Sequence, residues 1–141
     1  MPESPKITPP FGPDKKFSER GGSVFVFGSN LAGRHGAGAA LKAYKNYGAI
    51  LGVGFGITWN ADSAKPSSYA LPTLDEKLKP LSTTELAFWI RELAEWAITR
   101  PSTEVFVTKV GCGIAGFTEE RMSSLFKRHY WGNNVILPTG W

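Results

Sequence analysis

The chain has 141 residues, 42% of them hydrophobic, and its 16 basic and 12 acidic side chains give a formal net charge of +4. That length fits one domain with a real hydrophobic core, and no apolar run reaches the roughly 20 residues that a membrane helix needs. A lone cysteine excludes an internal disulfide and, with no His or Cys cluster beside it, a structural zinc site; the modest, scattered positive charge favours an anionic ligand without naming nucleic acid.

The first six residues have no apolar core after a basic start, so they do not read as a secretory signal, and a reducing cytoplasm is the expected compartment. Prolines at 2, 5, 9, 10 and 13 remove donors and oppose regular structure. Residues 1–22 therefore read as an extended or partly disordered arm, with Ile7, Phe11 and Phe17 available to pin it, and residues 23–141 as the domain.

Val24-Phe25-Val26-Phe27 is β-branched or aromatic throughout, the composition of a buried strand. A glycine-rich loop follows from Gly28 to Gly38, and from Ala39 the spacing predicts a helix with Ala40, Ala43, Tyr44 and Tyr47 on its apolar face. Gly48 stands where a C-cap glycine belongs, and Lys42 and Lys45 suit the negative end of the helix. A strand, a glycine loop and a helix N-terminus offer unpaired backbone N–H groups to an anion. A phosphate-bearing ligand is the first expectation.

Residues 49–57 alternate glycine with apolar side chains, as in a short connection or strand whose backbone passes close to something. A polar loop over 60–68 leads to a short strand over 68–71, stopped by Pro72-Thr73, and a second loop runs over 74–81. Ser82 and Glu85 form a capping box. Leu86, Trp89, Ile90, Leu93 and Ala97 then repeat at helical spacing to Ile98, before Arg100-Pro101 ends the helix. Trp89 and Trp96 read as packing residues.

Residues 105–110 are the second clear strand, running into a glycine-rich turn from Gly111 to Phe117. Thr118 caps a short helix to Lys127 with Glu119 and Glu120 in its first turn, and 135–137 is a last strand. Alternating strands and helices predict an α/β sheet with helices on both faces. In such sheets ligands bind beyond the C-terminal ends of the strands.

Two phosphate-binding motifs can be weighed directly. A Walker A loop needs Lys followed by Ser or Thr after its last glycine, and Gly38 is followed by Ala39-Ala40, so it is excluded. A dinucleotide fingerprint needs G-x-G-x-x-G and an acid about 20 residues later at a strand end. Here Gly33, Gly36 and Gly38 have the wrong spacing, and the nearest acid is Asp62 in a polar loop.

Three further segments carry a resemblance. Asn30 with Gly33, His35, Gly36, Ala37 and Gly38, then 68–73, then Lys109-Val110-Gly111-Cys112-Gly113-Ile114-Ala115-Gly116-Phe117, resemble in order the conserved segments of the macro domain. The resemblance spans roughly residues 22–141, and the Gly-Cys-Gly turn is nearest to the branch that removes ADP-ribose from glutamate or from DNA. It implies a three-layer α/β/α sandwich with a mixed central sheet, binding ADP-ribose or a related NAD-derived nucleotide. It requires no metal and no separate cofactor, and extends the possible partners to ADP-ribosylated protein or nucleic acid. On this reading the first loop takes one phosphate and the turn Gly111–Gly116 the other, Asn30 holds ribose hydroxyls, and Phe117 packs beside the ribose.

The catalytic groups of the resembled branches fall at Leu74, Ala115 and Gly38, none of which can do acid–base work. Asn30, His35 and Asp75 are the substitutes: a His35–Asp75 pair across the cleft would activate water at the ribose. The alternatives are a His35 that donates to phosphate and an Asp75 that caps a turn. A pure nucleotide-sensing or sequestering module, or a scaffold for protein partners, stays open beside hydrolysis. Cys112 reads as a small packing residue and Lys109 as a solvent-facing one.

Overall fold

The computed structural model describes residues 22–62 and 65–141. The expected N-terminal arm lies, apart from Gly22, outside the described residues.

Strand β1 (Ser23–Asn30) is the centre of the fold. Its side chains alternate between two buried faces: Val24 and Val26 on one, Phe27 on the other. Burial on both faces is what a near-continuous apolar run encodes. Helix α1 (Gly38–Asn46) follows it. After β2 (Gly56–Thr58) and β3 (Ser67–Leu74) come helix α2 (Thr83–Ile98), β4 (Glu104–Val107), helix α3 (Glu119–Phe126) and β5 (Val135–Ile136). The sheet order is β2-β3-β1-β4-β5. All pairings are parallel except β2 with β3, so the sheet is mixed.

The helices form the outer layers. Leu86, Ile90, Leu93 and Trp96 of α2, with Met122, Leu125 and Phe126 of α3, cover the Val24–Val26 face in the larger core. The opposite face is thinner: Ala40 and Ala43 of α1 lie on Phe27 and Ala70. This is the three-layer α/β/α arrangement expected from the sequence.

Several boundaries differ from expectation. Strand β1 does not give way to loop at Gly28 but continues to Asn30, where Gly28, Ser29 and Asn30 still pair with β3. Strand β3 does not stop at Pro72 but runs through it to Leu74, buried along its whole length. Proline has no N–H to give to a ladder, and the register slips there, Ser29 pairing with Pro72 but Asn30 with Leu74. The Thr73 hydroxyl donates to the Ser29 carbonyl at the irregularity (3.3 Å). Strand β4 ends at Val107 rather than 110, where Thr108 turns its hydroxyl onto the Val26 carbonyl (2.7 Å). On α1 the apolar face is narrower than read: Tyr44 is 45% exposed, while Tyr47 packs on Phe25 with ring centroids 4.6 Å apart.

The helix ends match their sequence signals. Ser82 and Glu85 close a reciprocal capping box on α2, and the Thr118 hydroxyl accepts from the Arg121 N–H on α3. Gly48, with φ of +78°, turns the chain out of α1.

Candidate functional site

Because β1, β3 and β4 are parallel, their C-terminal ends share one edge of the sheet. The segments leaving them enclose a cleft of about 540 Å³. That is within the range of small-molecule sites. Its floor is Gly28 to Asn30; Arg34 and Gly36 to Ala40 form one wall, and Thr73, Leu74 and Leu78 come from the β3 side. Thr108 to Gly111 and Gly113 to Ala115 come from the β4 side.

The start of α1 differs from the other two described helices. Its N-cap, Ala37, has no side chain with which to accept from the first turn, and that turn holds no acidic residue. Residues 37–40 nevertheless line the cleft. The first-turn N–H groups and the positive end of the helix are therefore presented to whatever enters it. Arg34 and Lys109 add two cationic side chains to the lining, which contains no carboxylate, imidazole or thiol among the described residues. Lys109 also pairs with Glu119 (3.1 Å), and this bond, helped by the Trp141 indole, holds the Glu119 carboxyl below its ordinary value. Lys109 is thus not simply solvent-facing: it stands at the cleft margin.

No protein-family model and no curated protein sequence matches this chain. Solved structures do. A protein of unknown function from Bacteroides thetaiotaomicron superposes with a TM-score of 0.56 at 18% identity, covering 76% of this chain and 79% of that one. Another crystal structure of a protein from that organism gives 0.55 at 18%, over 75% and 80%. The macrodomain of Mycobacterium tuberculosis DarG gives 0.55 at 19%, over 74% and 81%. The fold is a macrodomain fold.

Within this macrodomain fold, the residues singled out from the sequence separate into two groups. Asn30, Gly36, Ala37, Gly38, Gly111, Gly113, Ile114 and Ala115 line the cleft. Gly33, His35, Cys112, Gly116, Phe117 and Asp75 do not. Gly33, at φ +72°, is pressed against the backbone of Gly52, where a Cβ would come within 2.3 Å of a carbonyl carbon. Its freedom from a side chain serves packing. Phe117 and Cys112 pack on the larger core; burial, then the nearby Glu119, push the Cys112 thiol up rather than down.

Asn30 is held on both sides of its amide: Nδ2 donates to the Arg34 carbonyl (2.8 Å) and Oδ1 accepts from the Arg34 N–H (2.9 Å). It shapes the first loop, and keeps one Nδ2 hydrogen for anything in the cleft. His35 is only 3% exposed. Its Nε2 bonds the Ile50 carbonyl (3.0 Å), its ring stands edge-on to Phe27, and Nδ1 is buried without a partner. Asp75 caps its own turn, accepting from Lys77 and Lys79 N–H groups at 2.8 and 2.9 Å. Those N–H groups hold its carboxyl below the ordinary range. No hydrogen bond joins His35 to Asp75.

The structure adds residues to the site that the sequence reading passed over, chiefly Arg34, Thr73, Thr108 and Leu78. Arg34 had a signal, since it sits inside the glycine loop. Leu78 had none: a single leucine among the charged residues of a surface loop gives no hint of its orientation. Leu74, Ala115 and Gly38, the positions of the absent catalytic groups, all line the cleft.

Proposed function

We propose that this protein binds ADP-ribose or a closely related NAD-derived nucleotide in the cleft, and holds it without cleaving it. The observation that carries the reading is the uncapped start of α1 opening into a cleft whose ionisable lining groups, among the described residues, are the cations Arg34 and Lys109. Backbone N–H groups and two cations suit a diphosphate. Among the described residues the lining offers no carboxylate or imidazole of the kind that general acid–base cleavage uses. The macrodomain fold, shared with the DarG macrodomain, is the second support and points to the nucleotide class. An ADP-ribosyl group attached to protein or nucleic acid would enter by the same cleft.

Calorimetric titration with ADP-ribose, with NAD and AMP as comparisons, tests the reading. A Cβ at Gly113 would meet nothing within 4 Å, so Gly113→Glu leaves the fold intact while placing a carboxylate at the cleft. Binding by the wild type that falls at least about tenfold in Gly113→Glu, through like-charge repulsion of the diphosphate, is expected. Absence of heat and of thermal shift with all three nucleotides would overturn the proposal.

A further inference from the structure

Among the described residues, Leu78 is the one non-glycine residue with a positive φ, at 63°. For an L-residue with a branched side chain this left-handed conformation is unfavourable, and it persists only where the surroundings fix it. Here they do. Asp75 makes four hydrogen bonds around the turn: its N–H to the Lys79 carbonyl, its carbonyl from the Leu78 N–H, and Oδ1 from the N–H groups of Lys77 and Lys79. An isolated bridge between Leu74 and Pro80 ties the base of the turn together.

Glycine would occupy this conformation freely. Instead the position carries the only apolar residue in Asp75-Glu76-Lys77-Leu78-Lys79, and its side chain lines the cleft while remaining 43% exposed. Opposite stands a second large apolar side chain, Ile114, lining the same cleft and 77% exposed. The sheet order explains the opposition. β3 and β4 flank β1 on either side, so the segment after β3 delivers Leu78 to one margin and the segment after β4 delivers Ile114 to the other. Leu74 and Ala115, both buried, add to the apolar lining.

We infer that Leu78 is a specificity-determining residue, a fixed apolar jaw that closes with Ile114 on the sugar or base of the bound nucleotide. The inference rests on the nucleotide reading of the cleft. In it, phosphate is held by the α1 N-terminus and the cations, while the jaws select ligands that carry a flat or apolar-faced nucleoside. The hydrogen-bonded turn sets the direction of the leucine's Cα–Cβ bond before any ligand arrives, so little backbone freedom is lost on binding.

The test compares ADP-ribose affinity and thermal stability in wild type, Leu78→Gly and Leu78→Met. Glycine relieves the backbone and removes the jaw: Tm stays level or rises, while Kd weakens about tenfold, the loss of roughly half a leucine's burial. Methionine keeps an apolar side chain, and its Kd stays within about threefold of wild type. Wild-type binding with Leu78→Gly within twofold of it would overturn the jaw and leave the nucleotide reading standing. So would a Leu78→Met loss as large as that of Leu78→Gly. A lower Tm in Leu78→Gly would overturn the account of the strained turn. A wild type that binds no nucleotide would overturn both readings.

Discussion

Glycine shows how differently one residue type is used along this chain. Gly33 and Gly113 look alike in the sequence, each inside a glycine-rich loop after a strong strand. Gly33 is bare because another stretch of backbone occupies the space a Cβ would need, and because its φ is +72°. Gly113 has open space in front of it and lines the cleft. Gly33→Ala is therefore expected to destabilise the fold by at least about 2 kcal/mol, from the left-handed conformation and the overpacking together. Denaturant unfolding checks this, with Gly113→Glu expected near wild type in the same experiment. Local sequence revealed that both loops were turns, but not which face of each glycine was filled. Space is a property of the other segment, here 52–53, and no pattern around Gly33 announces it. Arg100 teaches the same lesson: beside Pro101 it reads as a helix terminator, yet it is 3% exposed and lies over the rings of Trp59 and Trp96 at 5.3 and 5.5 Å.

At the level of elements, what was legible was what is encoded locally. The capping box at Ser82–Glu85, the Thr118 cap and the helical repeat of α2 depend on residues a few positions apart, and each is found where the sequence places it; the apolar run of β1 is equally local, but the strand extends past it through Gly28 to Asn30, where the sequence predicts loop. Strand β3 was not legible to its end, because a proline is tolerated where the neighbouring strand's register can slip around it. In the sequence the segment after β3 shows only loop composition, with Asp75 as a residue able to cap a turn. Its carboxyl is held below the ordinary value by the N–H groups of Lys79 and Lys77. A depressed carboxyl stabilises the turn above its unfolded-state value, about pH 3.9, and that contribution is lost as pH falls through the folded-state value. The Leu78 amide resonance is therefore expected to hold its shift through the ordinary carboxylate range and to move only below it. In Asp75→Asn that acid transition should vanish from the Leu78 amide. A Leu78 shift that follows an ordinary carboxylate midpoint would contradict the lowering of the Asp75 carboxyl, and one unchanged in Asp75→Asn would contradict the turn's dependence on Asp75.

For the molecule as a whole, the two faces of the sheet are unequally covered. One side carries α2 and α3 on a core with Leu86, Leu93, Trp96, Met122 and Phe126; the other carries α1 on alanines and a phenylalanine. Apolar burial scales with area, so the thinner layer is held less strongly. Amide hydrogen exchange is expected to be faster along α1 than along the middle of α2. Nucleotide in the cleft should slow exchange in the first turn of α1, and equal protection of the two helices in the free protein would refute the imbalance. The expectation of an α/β sandwich came from the order of elements, which needs no detail of packing. The inequality of its layers depends on which residues face which helix, and so emerges only in three dimensions. No helix among the described residues is long and apolar enough to cross a membrane.

The central strand also comes first in sequence among the described strands. Its two neighbours in the sheet, β3 and β4, begin at Ser67 and Glu104, so β1 waits for distant stretches of chain before either edge is paired. The cleft is assembled from the same three regions, around 28–40, 73–78 and 108–115. Pairings of such long sequence separation form late and slowly. During synthesis a ribosome-bound chain must therefore emerge beyond about residue 115 before the cleft can be assembled. Until then Val24, Phe25, Val26 and Phe27 remain an unpaired apolar segment, open to premature association.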